Sequence, residues 1–224
     1  MITAVTTCMG RRNHLEMTLP LMLEEFDHVI VVDWSCPEDS GAWAEREGAQ
    51  VVHRKGEKYF HGPKARNLGA SAVQSRSVCF VDADCLVMTG LKNELESIID
   101  LSHMAIASRT AANIDIPNLC GFMGLDIGQF WGVGGYPVEL EGYGLDDIHL
   151  RARLRLERGL EPKRVSPGAL GSIRHTNELR GRYFEESINV SGPRNHKLLM
   201  EYLKSHGVTD WINDPRTSEI AYRL

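Results

Sequence analysis

Residues 77–84 read Ser77-Val78-Cys79-Phe80-Val81-Asp82-Ala83-Asp84. Val78 to Val81 form an unbroken apolar run, and such a run ending in turn-forming acids is the pattern of a short strand covered on both faces. Upstream of it, Gly62 to Ser75 has helical spacing, with Pro63 early, where its missing N–H costs little. Ala49 to His53 reads as a strand and Ser40 to Glu47 as a short helix closed by Gly48. His28 to Asp33 (HVIVVD) is a buried strand that also ends in a carboxylate. Arg12 to Glu25 places Leu15, Leu19, Met22 and Leu23 near one helical face, with Pro20 as a point of kinking or restart. Ile2 to Thr7 is the first strand. This βαβαβ rhythm predicts an α/β fold with a mostly parallel sheet and helices on both faces. Ligands of such sheets sit beyond the carboxyl ends of the strands. The sequence puts Thr6/Thr7, Asp33 and Asp82/Asp84 there.

Downstream the pattern is less regular. Leu91 to Leu101 is helical and Met104 to Ser108 a strand. Residues 128–144 (GQFWGVGGYPVELEGYG) are crowded with glycine. Asp146 to Arg158 is a strong helix, and Gly168 to His175 a strand ending in histidine. Glu185 to His206 is helical in parts, with Pro193 as an interruption. This tail has the composition of a lid, an acceptor-binding element or an oligomer arm.

The chain has 224 residues, 42% of them hydrophobic and 25% charged, with a formal net charge of -5. Those values describe an ordinary soluble globular protein and give no general reason to expect a nucleic-acid partner. The five cysteines, Cys8, Cys36, Cys79, Cys85 and Cys120, form no CxxC pair and read as reduced thiols of a cytoplasmic protein. Met1 to Val5 carry no charged leader region, so no signal peptide is expected. No window approaches the ~20 apolar residues of a membrane helix. Peripheral contact with the inner face of a membrane through a partner stays open.

Two segments carry chemistry. Asp82 and Asp84 flank one small residue at a strand end, so both carboxylates can converge on a hard cation. Mg²⁺ and Mn²⁺ favour carboxylate and phosphate oxygens, and the ion would bridge protein and diphosphate. Alone, the same three residues also fit a turn with two solvated acids. In Gly132 to Leu150 (GVGGYPVELEGYGLDDIHL), glycines allow close backbone approach to a ligand or positive φ. Asp146 and Asp147 then open a helix, where the dipole favours ionised carboxylates. An ionised carboxylate is what a general base requires, although acids also cap helices without any catalytic part. Trp131 beside the glycines is a sugar-stacking candidate. Arg151, Arg153, Arg155 and Arg158, with Glu157 and Glu161 nearby, read as a solvated helix face.

The second segment resembles the acceptor-side motif of β-1,4-galactosyltransferases and of galactosyl and N-acetylgalactosaminyl transfer domains in family 2 glycosyltransferases. The residues that carry this likeness are Gly132-Val133-Gly134-Gly135, Glu139, Gly142-Tyr143-Gly144-Leu145-Asp146-Asp147-Ile148-His149-Leu150 and Arg153-Leu154. The departures are Tyr143 for Trp, Asp146 for Glu and His149 for Asp. The resemblance implies that Asp147 is the catalytic base and that Asp146 contacts an acceptor sugar, with Gly134 and Gly135 at the substrate. The N-terminal half is similar to family 2 enzymes of the GT-A fold, a Rossmann-like nucleotide-sugar-binding sheet, mostly parallel and mixed. That likeness implies that Thr6, Thr7, Arg11, Asp33 and Ser35 hold the nucleotide base. Lys64, Arg66 and Asn67 would face ribose or diphosphate, and His175 would join Asp84 and Asp82 at the metal. His61 would be a loop or donor-pocket residue.

The expectation is therefore a GT-A catalytic domain over 1–178, with a nucleotide-sugar half (1–90), an acceptor half (91–178) and a helical or irregular extension (179–224). The expected activity is an inverting, Mn²⁺- or Mg²⁺-dependent transfer of a hexose or N-acetylhexosamine from a UDP-sugar to a glycan or glycolipid hydroxyl. Two rivals stay open. A sugar-1-phosphate nucleotidyltransferase also uses carboxylate-held Mg²⁺, although Cys8-Met9-Gly10-Arg11-Arg12 is a thin imitation of its phosphate loop. A non-catalytic nucleotide-sugar-binding protein on a decayed scaffold would lack the chemistry residues that are present here.

Overall fold

The computed structural model describes residues 1–108, 119–174 and 176–218. In chain order it holds β1 (Ile2–Cys8), α1 (Arg12–Glu25), β2 (His28–Trp34), α2 (Ser40–Arg46), β3 (Gln50–Arg54), α3 (Gly62–Ser71), β4 (Ser77–Phe80) and β5 (Cys85–Val87). There follow α4 (Leu91–Ile98), β6 (His103–Ile106), a 3₁₀ turn (Leu119–Gly121), β7 (Met123–Asp126), α5 (Ile127–Gly132) and α6 (Asp146–Arg158). The chain continues with β8 (Glu161–Arg164), β9 (Leu170–Ser172), α7 (Asn177–Gly181) and α8 (Ile188–Ser205).

The main sheet has the order β3-β2-β1-β4-β7-β6-β8. Its first four strands are mutually parallel, β7 runs against both neighbours, and β8 is parallel to β6. β5 and β9 form a separate antiparallel pair. The unbroken apolar runs follow from coverage of both faces. Ile30 and Val32 face one core, with Val5, Val78 and Phe80. Val29 and Val31 face the other, with Ile2, Ala4, Cys79 and Val81. The first core is closed by α3, α6 and α8, the second by α1 and α4. Each fully buried Phe or Leu in these layers contributes about 1.5–3 kcal/mol relative to exposure.

Gly69 sets the height of α3 over the sheet. A Cβ there would overlap Val5 and come within 2.8 Å of Val32 Cγ2, so only glycine lets the helix settle this closely. That approach carries Arg66, one turn earlier, over the carboxyl ends of β1 and β4.

Several expectations need correction. The helix expected over 62–75 ends at Ser71, and the strand expected over 168–175 is three residues long and pairs with β5. The glycine-rich stretch contains a helix, α5. Neither Pro20 nor Pro193 breaks its helix. Pro20 lies on the exposed face of α1. α8 forgoes one backbone bond at Pro193 and is held by Leu199 and Leu203 in the core, since packing rather than propensity supplies most helix stability. The tail is therefore built into the main core through α8, Val208 and Trp211.

Candidate active site

Asp82-Ala83-Asp84 forms a turn at the end of β4, closed by the Cys85 N–H donating to Asp82 O at 2.9 Å. Two outside contacts fix it. The Thr18 hydroxyl on α1 donates to Ala83 O at 2.9 Å, and the Ile173 N–H just past β9 donates to Asp84 O at 2.8 Å. A turn was the plain alternative for these acids, and it is what forms. It is pinned from both sides, with Asp82 only 29% exposed.

The Arg66 guanidinium joins this turn to the second motif. Its NH2 donates to Asp82 Oδ1 at 2.7 Å and its NH1 to Asp146 Oδ2, and it lies over the Tyr136 ring, 5.2 Å from the centroid. Burial opposes its charge, but Asp82 and Asp146 outweigh that and raise its pKa well above the ordinary value. Residues 82 and 146, far apart in sequence, are thus one hydrogen-bond network.

Asp147 is buried beside this bridge. Burial raises its pKa, helped by Asp146, against the opposing pull of Arg151 and Arg66. Arg151 is one helical turn on and fully buried, and it donates to Phe122 O at 3.0 Å. It is no solvated stripe. The signal was available: positions four apart share a helix face, so Arg151 falls on the same side as Asp147.

The approach to α6 is strained. Gly142 and Gly144 have φ of 72° and 99°, and the non-glycine Leu145 has φ of 71°. Such a residue costs about 1–3 kcal/mol and persists only when its surroundings impose it. α8 imposes it here. Asn195 Nδ2 donates to Glu141 O and Gly144 O at 3.0 Å each, and Arg194 NH2 donates to Glu141 O at 2.8 Å. The Tyr143 N–H donates to Ser191 Oγ at 3.1 Å. None of these α8 residues is marked by a sequence motif.

The other expected site residues make defined contacts within the protein. Both ends of the Asn67 amide bond the Tyr136 backbone, at 2.9 Å and 2.8 Å, so Asn67 fastens the glycine loop to α3. The Ser35 hydroxyl donates to Arg54 O and accepts from Glu57 N–H, tying β2 to the segment after β3. Asp33 is buried and accepts from the Cys36 and Gly41 N–H groups at 2.7 Å and 2.9 Å. The Thr6 hydroxyl is buried with no hydrogen-bond partner among the described residues, whereas Thr7 is half-buried. Arg11 reaches Leu179 O at 3.1 Å. Lys64 is exposed on the first turn of α3, where the His61 ring accepts from its N–H.

Gly135 packs on Asn67 and Phe130, while Gly134 is exposed near Arg153. Trp131 is not brought to the acids. It lies on α5, whose Gly132 packs on Arg158 at the far end of α6 from Asp147. His149 points away as well. Burial pulls its pKa down to about 4, and its ring stacks 4.8 Å from that of Tyr202 on α8. His175 lies outside the described residues.

Among the described residues no three His, Cys, Asp or Glu side chains form a ready-made metal cage. Asp82 and Asp84 still fit a hard divalent cation, because such ions commonly take one or two carboxylates and complete their shell with phosphate and water. Gly121 leaves the space Asp82 occupies, and a Cβ there would overlap its carboxylate. Gly121→Ala is therefore expected to displace Asp82; on the reading that Asp82 and Asp84 hold a divalent cation, the affinity for that ion falls by about tenfold, or ~1.4 kcal/mol. Titration of Mn²⁺ against the variant measures this.

No family model and no curated protein sequence matches this chain. Solved structures do. S. aureus TarS in complex with UDP-GlcNAc aligns at 13% identity with a TM-score of 0.65, over 98% of this chain and 69% of that one. The mannosyltransferase from Pyrobaculum calidifontis in complex with GDP-Man and Mn²⁺ aligns at 14% and 0.61, over 100% and 76%. Glucosyl-3-phosphoglycerate synthase from Mycobacterium tuberculosis, in complex with Mn²⁺, UDP and glucosyl-3-phosphoglycerate, aligns at 15% and 0.58, over 94% and 81%. The chain has the GT-A fold, as expected from its sequence. Among the described residues no helix is long and apolar enough to cross a membrane.

Proposed function

We propose that this chain is an inverting glycosyltransferase that moves a hexose or N-acetylhexosamine from a nucleotide diphosphate sugar, UDP-linked, to a hydroxyl of a glycan or glycolipid acceptor. The observation that carries the reading is the Arg66 bridge, which puts Asp82 at the strand end and Asp146 at the helix start in one network. The fold shared with structures that hold UDP-GlcNAc, or GDP-Man with Mn²⁺, adds weight.

Asp147 is the base. It accepts the proton of the acceptor hydroxyl as that oxygen attacks the anomeric carbon. One base and no covalent intermediate give inversion. Burial makes its carboxylate more basic than an exposed one, while Arg151 and Arg66 oppose that rise. Asp146, paired with Arg66, is placed to hold an acceptor hydroxyl. Arg66 also brings positive charge to the diphosphate side, where Asp82 and Asp84 would hold Mn²⁺ or Mg²⁺. When bound, that ion would offset the negative charge growing on the leaving diphosphate. The strained 142–145 loop, clamped by Asn195, keeps the two acids oriented, and orientation is worth large factors in rate.

A panel of UDP- and GDP-sugars with simple glycosides as acceptors tests the proposal by release of free nucleoside diphosphate. Acceptor-dependent UDP release supports it. Pyrophosphate release from a sugar 1-phosphate and a nucleoside triphosphate instead points to the nucleotidyltransferase. The raised Asp147 pKa has a signed consequence. A carboxylate base works above its pKa, so kcat/KM falls as pH drops through that value. The acid limb is expected above the ~3.9 of an ordinary aspartate. A profile flat down to that value excludes Asp147 as the base.

A further inference from the structure

We infer that Cys8 and Cys36 form an oxidisable dithiol, a modification site in which Cys36 reacts first with a hydroperoxide and Cys8 closes the disulfide. Sequence spacing hides the pair, since 28 residues separate the two and neither belongs to a CxxC. The fold brings them together because β1 and β2 are parallel neighbours with Cys8 opposite Asp33. Cys36 lies three residues beyond Asp33, on a loop that turns back over the end of β1. The two sulfurs are 3.9 Å apart.

The surroundings treat the two thiols differently. Cys8 is fully buried, whereas Cys36 is half-buried. Three polar groups converge on the Cys36 sulfur: the Gly10 N–H, which donates at 3.2 Å, the Ser40 hydroxyl at 3.0 Å and the Cys8 thiol. Gly10 has φ of 66°, which aims its N–H at the sulfur, and a Cβ there would overlap the Tyr183 ring. The hydrogen bond from Cys8, with those from Ser40 and Gly10, outweighs burial and brings the Cys36 pKa down to about 5. The same bond, together with burial, holds the Cys8 thiol well above its ordinary value. This is the arrangement of a thiolate nucleophile beside a protonated resolving thiol.

The chemistry balances with hydrogen peroxide as oxidant. The Cys36 thiolate attacks one peroxide oxygen; the S–O bond forms as O–O breaks, and the departing oxygen takes protons to leave as water. The Cys8 sulfur, giving up its proton, then attacks the Cys36 sulfenic sulfur. The S–S bond forms as S–O breaks, and a second water leaves. Two thiols lose two electrons and one peroxide becomes two waters. The sulfurs must close from 3.9 Å to the ~2.05 Å of a disulfide, with Cys36 carried on the short 35–39 loop between β2 and α2. On the expectation that Asp33 holds the nucleotide base, the cross-link also lowers UDP affinity, because the Cys36 N–H donates to Asp33. The readouts that follow do not depend on that reading.

The experiment treats the reduced full-length chain with one equivalent of hydrogen peroxide, followed by intact mass and non-reducing peptide mapping. The expected result is loss of two hydrogens and a single linked peptide pair, residues 8 and 36. In Cys8→Ala the cross-link is absent, and dimedone traps a sulfenic acid at Cys36. In Cys36→Ser neither product forms at Cys8. In the wild type at pH 6, iodoacetamide labels Cys36 ahead of every other thiol. A linkage mapped to another pair, or no 8–36 linkage at peroxide doses that oxidise free cysteine, overturns the inference. Dimedone capture at Cys36 at equal yield in wild type and Cys8→Ala overturns the resolving part of Cys8.

Discussion

Asp147→Asn is expected to lower kcat for sugar transfer by about 10²–10⁴-fold, the usual contribution of a positioned general base, while UDP affinity stays within about twofold. The side chain keeps its shape but can no longer take a proton, and on the proposed mechanism it serves the acceptor and not the nucleotide. Steady-state kinetics paired with UDP titration separate the two effects. A variant that turns over normally removes Asp147 from the base position. One that loses UDP binding in step with turnover, at unchanged melting temperature, moves it to the donor side.

Arg66→Met carries the second large effect, on stability as well as rate. The change leaves Asp82 and Asp146 without the cation between them, close to the buried Asp147. Breaking a buried pair from one side costs about 3–5 kcal/mol, and a chain of this size loses about 2–4 °C of melting temperature per kcal/mol. Arg66 is 14% exposed, so solvent relieves only a small part of that cost. The deficit has a pH dependence of known sign. Arg66 also opposes the rise that burial imposes on the Asp147 pKa, so its loss raises that folded-state pKa further; this part of the deficit is full above that value and shrinks as pH falls and Asp147 protonates. Arg66→Lys restores little, because one ammonium does not reproduce the planar fork that reaches two carboxylates at once. Thermal melts of the three proteins at neutral and acidic pH show this pattern, and a melting temperature unchanged in Arg66→Met contradicts it.

The parallel half of the sheet was legible because β1, β2 and β4 are buried on both faces and announce themselves as apolar runs, while the exposed edge strand β3 shows itself only through Val51-Val52. β7 and β8 were not. Met123-Gly124-Leu125-Asp126 is short, and its glycine is there because Leu95 and Ile99 press against it. Glu161-Pro162-Lys163-Arg164 is a polar edge strand, where proline is tolerated and apolar periodicity is lost. The site followed the same division. Asp82, Asp84, Asp146 and Asp147 stood in local motifs, and Arg66 was picked out from the helix start. Sequence could not tell that Arg66 would join the two motifs, nor that Asn67 and Ser35 would spend their polar groups on the backbone. Those facts depend on which loops the fold folds back on them. The clamp of Ser191, Arg194 and Asn195 on the 141–144 loop depends on α8 running unbroken through Pro193. Trp131 is near the glycines in sequence, but it lies on α5, whose Gly132 packs on Arg158 at the other end of α6 from Asp147.

The central claim is that the β4 turn and the α6 start serve one metal-assisted nucleotide-sugar site. Calorimetric titration of UDP into the wild type and into Asp84→Asn, each with Mn²⁺ and with a chelator, tests it most directly. The account predicts measurable binding in the wild type with Mn²⁺, weakened at least about tenfold (about 1.4 kcal/mol) by the chelator or by Asp84→Asn. UDP affinity that is equal in all four titrations, or absent from all four, contradicts it.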